Sequence, residues 1–169
     1  MKRDKLDPLD VRILGTLQKN GRMTNVQLAR TVGLSPSACL ERVKRLEMQR
    51  VIMGYGAYID VDKLGANITV YVEITLKDQR PEDFERFERF VLQMPEVLDC
   101  HRVNGGFDYI VKFLCRDTNA FRESMDRLLV ADPGILRYAG YITLKRVKLS
   151  SKEIPIYTLK GEAPPEGYL

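Results

Sequence analysis

The sequence predicts an α+β protein: an amino-terminal winged helix-turn-helix domain followed by a carboxy-terminal ferredoxin-like domain in the order βαββαβ. Three observations predict it. Three short, capped helical patterns fill the first fifty residues, and strand and helix patterns alternate after residue 67. The charge is also uneven: residues 1–50 carry 11 Lys/Arg against 5 Asp/Glu, whereas residues 51–169 carry 16 against 18. A basic module joined to a nearly neutral one points to a polyanion facing the first alone.

Asp7-Pro8-Leu9-Asp10 reads as a helix start, with Asp7 as cap, proline at the first helical position and Asp10 near the positive end of the helix dipole. Leu9, Ile13 and Leu17 form one apolar face, and Asn20-Gly21 ends the helix. Thr24 to Gln27 has capping-box spacing and opens a second helix bearing Val26, Leu28, Ala29 and Val32, which Gly33 closes. Ser35-Pro36 starts a third. Two short helices across a glycine turn, the second carefully capped, have the form of a helix-turn-helix.

Projected at about 100° per residue, the third helix places Cys39, Leu40, Val43 and Leu46 on one side. Ser37, Ala38, Glu41, Arg42, Lys44 and Arg45 fall on the other. Small residues near the amino end allow close approach to a major groove, and arginine grips guanine edges or phosphates. A solvated amphipathic helix has the same look; the turn, the caps and the local charge excess weigh towards DNA. Residues 51–59, apolar and punctuated by glycine, are expected to form a hairpin or wing. The domains are accordingly 1–59, a connector at 60–66, 67–150, and an arm or tail at 151–169.

In the second domain, Ile68–Thr75 is β-branched and aromatic, a strand. Pro81 opens a helix with Phe84, Phe87, Val91 and Met94 on one face. Val97–Val103 and Phe107–Cys115 are two strands joined at Asn104-Gly105, a hairpin-turn signal. Phe121, Met125 and Leu128 mark a helix, Pro133-Gly134 a break, and Tyr138–Val147 the last strand. The order βαββαβ puts both helices on one face of an antiparallel sheet. The other face needs cover, which a second copy supplies most simply, so a homodimer is expected.

Hydrophobic residues are 44% and charged residues 30%, a globular balance, and no apolar run approaches the ~20 residues that cross a bilayer. No membrane is implied, and the expected location is the cytoplasm. Cys39, Cys100 and Cys115 lack metal-ligand spacing, and a single histidine, His101, leaves little for zinc. No metal, cofactor or catalytic residue is expected: no nucleophile–base pair stands out, which argues against an enzyme. RNA binding by the sheet wants a Lys/Arg-Gly-aromatic signature beside Tyr138 and Tyr141, and that signature is missing.

Three stretches, in order and correctly spaced, resemble the Lrp/AsnC family of amino-acid-responsive transcription regulators over roughly residues 6–150. They are Leu6–Leu14, Val32–Glu47, and Val103-Asn104-Gly105-Gly106-Phe107-Asp108-Tyr109. The resemblance implies a sequence-specific regulator of transcription that binds double-stranded DNA, forms homodimers and assembles to octamers, and answers to a small effector, usually an amino acid. It implies DNA contacts at Ser35, Ser37, Ala38, Arg42 and Arg45, with Thr24 and Asn25 towards phosphate. It implies an effector site at Asn104, Gly105, Gly106 and Asp108, joined by Tyr141, Ile142 and Thr143. The chemistry agrees in part: backbone N–H groups around Gly105-Gly106 suit a carboxylate, and Asp108 suits an ammonium group. The same residues also suit a tight turn and its capping carboxylate. Departures are Ser37-Ala38 in place of the family's frequent Thr-Pro, Arg50 where glycine is common, and a longer tail.

Overall fold

The computed structural model describes residues 6–148 and 154–161. The chain divides into two compact units, residues 1–58 with 148–169, and residues 59–147. The stretch expected as a connector, 60–66, clusters with the second unit, where it holds a single 3-10 turn at Val61–Lys63. Part of the expected tail belongs to the first unit; its residues 151–153 and 162–169 lie outside the described residues.

The first unit holds helices α1 (Pro8–Lys19), α2 (Asn25–Val32) and α3 (Pro36–Met48). Local chemistry sets their ends. Asp7 and Asp10 form a reciprocal capping box on α1, Thr24 and Gln27 form another on α2, and Ser35 caps α3. Gly33 closes α2 in the left-handed conformation (φ 75°), which lets α3 turn away at once. Ile13, Leu28, Ala29, Val32, Cys39 and Leu46 form the buried core. Leu40, expected inside, is 42% exposed. The expected wing is not there: residues 51–58 make two bends and then run on, exposed, without regular structure or a partner strand among the described residues. Gly54 and Gly56 interrupt the apolar run and weaken any strand.

A short helix, α6 (Ile156–Lys160), completes this unit. Ile156 and Tyr157 are buried against Val11 and Leu14 of α1. The Gln18 side-chain amide makes two hydrogen bonds to the Ile154 backbone, accepting from its N–H (2.9 Å) and donating to its carbonyl (3.2 Å). A Cβ at Gly15 would stand 2.9 Å from the Tyr157 hydroxyl oxygen. A glycine inside a helix costs about 1 kcal/mol relative to alanine; here its bareness makes room for a ring. Between α1, residues 51–58 and Ile154, Ile156 and Leu159 lies an open cleft of about 1000 Å³.

The second unit is a four-stranded antiparallel sheet in the order β2-β3-β1-β4, with β1 Ile68–Leu76, β2 Val97–Arg102, β3 Tyr109–Cys115 and β4 Ile135–Ile142. Helices α4 (Pro81–Val91) and α5 (Thr118–Val130) cross over one face. The alternation of β1 turns Val70, Val72, Ile74 and Leu76 towards them, where they meet Phe84, Phe87, Met125 and Leu128. The opposite face, with Tyr71, Glu73, Ala139 and Tyr141, is covered by no element of this unit. Two expected strands end elsewhere. The last begins at Ile135, straight after the Gly134 turn (φ 85°), and stops at Ile142 because its partner β1 begins at Ile68. Likewise, β3 begins at Tyr109, so residues 103–108 form a six-residue loop instead of a two-residue hairpin at Asn104-Gly105.

Phe87 of α4 is fully buried against the sheet, its ring centroid 4.5 Å from that of Tyr109 on β3. Phe87→Ala should therefore cost this unit about 3–5 kcal/mol. Urea unfolding followed by tyrosine fluorescence checks this as a fall in midpoint.

Candidate nucleic-acid interface and ligand site

The recognition helix is held by its basic residues. Arg42 Nη1 donates to Asp7 (2.6 Å) and Asp10 (2.9 Å), and Arg45 Nη2 donates to both oxygens of Asp10 (2.6 and 2.8 Å). Asp10 is only 2% exposed, so these two guanidiniums are what make its charge tolerable inside the protein. Burial raises the Asp7 pKa, but the hydrogen bond and charge of Arg42, with the Asp10 amide, outweigh it and hold the carboxyl below its ordinary value.

This corrects the expectation for Arg42. Its side chain is 24% exposed and is bound to α1, not turned outward with the solvent face. Arg45 keeps 44% exposure and one edge free to face solvent while bonded to Asp10. Ser35 and Ser37 stand exposed at the amino end with their hydroxyls 3.3 Å apart, and Ala38, half-buried, gives its N–H to Ser35. Thr24 is exposed, its hydroxyl engaged with Gln27. Asn25 spends its amide N–H on the Pro36 carbonyl (2.7 Å), tying the start of α2 to the start of α3, while its own Oδ1 is buried. The outward face of α3 is thus Ser37, Leu40, Glu41, Lys44 and Arg45. The clamp carboxylates Asp7 and Asp10 were legible in the sequence as caps only; nothing there paired them with residues more than thirty positions away.

In the second unit the expected ligand residues fall into two groups. Asn104, Gly105 and Gly106 are exposed on the 103–108 loop, and among the described residues, chain neighbours aside, no atom lies within 4 Å of where a Cβ would stand on either glycine. The Gly106 carbonyl accepts from Arg137 (3.2 Å). Asp108 is buried, contrary to its expected role as an open receptor for an ammonium group. Its oxygens accept from the Leu76 N–H (2.8 Å) and from Gln79 (2.9 Å), and its own N–H donates to the Ile74 carbonyl (2.9 Å). It pins the loop to the end of β1. Gln79 and Arg137, which the sequence reading passed over, are its polar neighbours; their only signal was position beside a glycine-rich loop.

Tyr141, Ile142 and Thr143 lie at the other end of the same sheet. Tyr141 pairs with Tyr71 and Ile142 with Val70, whereas the loop adjoins Ile74 to Leu76. Four residues of strand, roughly 13 Å, separate the groups within one chain. The Tyr141 hydroxyl bonds Glu73 (3.2 Å), whose charge raises its pKa. Thr143, just past β4, gives its N–H to the Thr69 carbonyl (2.8 Å).

A capped helix-turn-helix joined to a ferredoxin-like unit with an open glycine loop defines a two-domain class: DNA binding at one end, ligand binding at the other. Residues 6–47 match the AsnC-type helix-turn-helix domain, and residues 69–152 the Lrp/AsnC ligand binding domain. The chain is 43% identical to the leucine-responsive regulatory proteins of Escherichia coli and Salmonella typhimurium over 147 residues, 87% of this chain and 90% of each relative. Its fold matches a transcriptional regulator from Neisseria meningitidis solved as a complex with L-Met (TM-score 0.83, 32% identity, 92% of this chain and 99% of that one). An AsnC family regulator from Agrobacterium tumefaciens is similarly close (TM-score 0.84, 28% identity, 91% and 99%). The chain belongs to the Lrp/AsnC family of transcriptional regulators. It is a DNA-binding regulator with a ligand-binding domain, and the family is one of regulators, not enzymes.

Two variants separate holding from touching. Arg42→Ala leaves Asp10 short of a partner and should destabilise the first unit by about 2 kcal/mol, a value reduced for partial exposure. Lys44→Ala should leave thermal stability unchanged and lower the salt slope of DNA binding by about 1. Because the Asp7 pKa is lowered in the folded state, its stabilisation is present above the ordinary carboxylate range and lost as pH falls. The thermal unfolding midpoint of the first unit should drop as pH falls below about 4, and Asp7→Asn should flatten that dependence.

Proposed function

We propose that this chain binds operator DNA as a homodimer that assembles further, to octamers. An amino acid seated between subunits at the 103–108 loop changes that assembly and so the spacing of recognition helices along the duplex. The observation that carries the reading is the open space around Gly105 and Gly106. Neither glycine needs its bareness for a positive φ or for a neighbour among the described residues; bare backbone there suits something brought from outside. Its N–H groups suit the carboxylate of an amino acid. The separation of Tyr141–Thr143 from the loop supports a site shared between copies, in which one subunit gives the loop and another the far end of β4. Tyr71 and Tyr141 on the uncovered sheet face supply an apolar surface for pairing. The leucine-responsive relatives and the L-Met complex of the Neisseria regulator support an amino acid as the ligand.

On the DNA side, Ser35, Ser37 and Ala38 allow close approach at the amino end of α3, and Lys44 and Arg45 face phosphate. Thr24 and Asn25 stand near the backbone, while Arg42 contributes by holding the helix. We infer that it works in the cytoplasm, which the DNA-binding domain supports. The ligand acts by linkage: it shifts the assembly only in so far as it binds one state better than another.

Gly106→Val tests the reading. The added side chain meets open space at an ordinary φ, so stability should change by less than about 0.5 kcal/mol. Calorimetric binding of L-leucine and L-methionine should fall at least tenfold, and light scattering should lose any ligand-dependent change in mass. Undiminished binding in the variant would take the ligand site away from this loop.

A further inference from the structure

The segment Ile154–Gly161 lies beyond both matched family regions, which end at residues 47 and 152, and no role so far described uses it. Yet it occupies a shaped groove on α1. The Gln18 amide reads its backbone as a neighbouring strand would, Val11 and Leu14 receive Ile156 and Tyr157, and Gly15 leaves the space in which the Tyr157 ring lies. Helix α1 is therefore engaged twice. Its amino end carries Asp7 and Asp10, which grip Arg42 and Arg45 of the recognition helix, while its outward side grips the carboxy-terminal segment.

The chain's path gives this contact a consequence. Residues 59–147 form the ligand-binding unit, so the DNA-binding unit is made from chain on both sides of it. A unit joined by one exposed stretch reorients freely; one joined at two places does so much less. Specific binding by a helix-turn-helix needs its recognition helix in a fixed orientation relative to its mate, whereas non-specific binding to phosphates does not. We propose that the outward face of α1 is a docking groove for the chain's own segment Ile154–Gly161, and that the seated segment is a second tether that positions the DNA-binding unit for specific recognition. In the sequence the seated segment follows β4, the strand assigned above to the ligand site; in this the inference rests on the paired, ligand-responsive reading.

Gly15→Gln tests it in the full chain. Glutamine favours helix over glycine, so α1 itself is strengthened, but its side chain fills the groove that Tyr157 occupies. The segment should become cleavable by trypsin at Lys160, while the helical signal and thermal unfolding of the DNA-binding unit hold. Affinity for a duplex selected from random sequence by the wild-type chain should fall at least tenfold, and affinity for unselected duplex should stay within twofold. A segment still protected in Gly15→Gln overturns the groove. A released segment with selected-duplex affinity intact overturns the tether, as does an equal loss for both duplexes together with unfolding, which makes the segment a structural staple alone. Light scattering on the wild-type chain separates these results from a failure of pairing: a monomer contradicts the proposed assembly, while the affinity ratio still decides the tether.

Discussion

A carboxylate with 2% exposure has few ways to remain charged, and Asp10 has taken the one that fixes the recognition helix. Two arginines one helical turn apart on α3 converge on it, and Asp7 takes a further bond from Arg42. Isolated buried charge is costly, so α3 cannot rotate about its axis without stranding Asp10. The clamp therefore decides which residues look outward. Ser37, Leu40, Glu41 and Lys44 do so because Arg42 and Arg45 are turned to α1. The basic face of the helix is divided between holding and touching, and Arg45, bonded yet 44% exposed, stands at the division.

The ligand-binding unit uses the same device at smaller scale. Asp108, buried, accepts from a backbone N–H at the end of β1 and from Gln79, and so secures a loop whose two glycines have open space beside them. Rigid ends and an empty middle suit a loop that must receive something. In the site we propose, the loop and the far end of β4 come from different copies, so that ligand binding and subunit pairing would share a surface. A regulator built so couples the two by necessity, because whatever favours the filled site favours the paired state.

What the sequence made legible was chemistry confined to a few neighbouring residues. The caps at Asp7, Thr24 and Ser35, the turn at Gly33 and the β-branched, aromatic run of β1 all depend on near neighbours in sequence, and all stand as read. What it hid depends on distance. Arg42 sits near the border of the two faces of α3, and only Asp10, 32 residues away, decides its side. Leu40 reads as core by its apolarity, but α3 turns it out. Asn104-Gly105 has turn composition, yet the hydrogen bonds of Asp108 to β1 hold the loop open at six residues. Residues 51–58 read as a wing by their apolarity, but among the described residues no strand pairs with them. Gly15 carried a signal in plain view, a glycine within a helix, whose meaning waits on a tyrosine 142 positions later.

The account turns on Asp10 and Arg42 acting as a pair. A double-mutant cycle with Asp10→Asn, Arg42→Gln and the double variant, followed by chemical unfolding of the first unit, measures that directly. The clamp predicts a coupling of about 1–3 kcal/mol, each single change being costlier than its share of the double. Additive effects within about 0.5 kcal/mol would mean that the two side chains stand near each other without holding the helix.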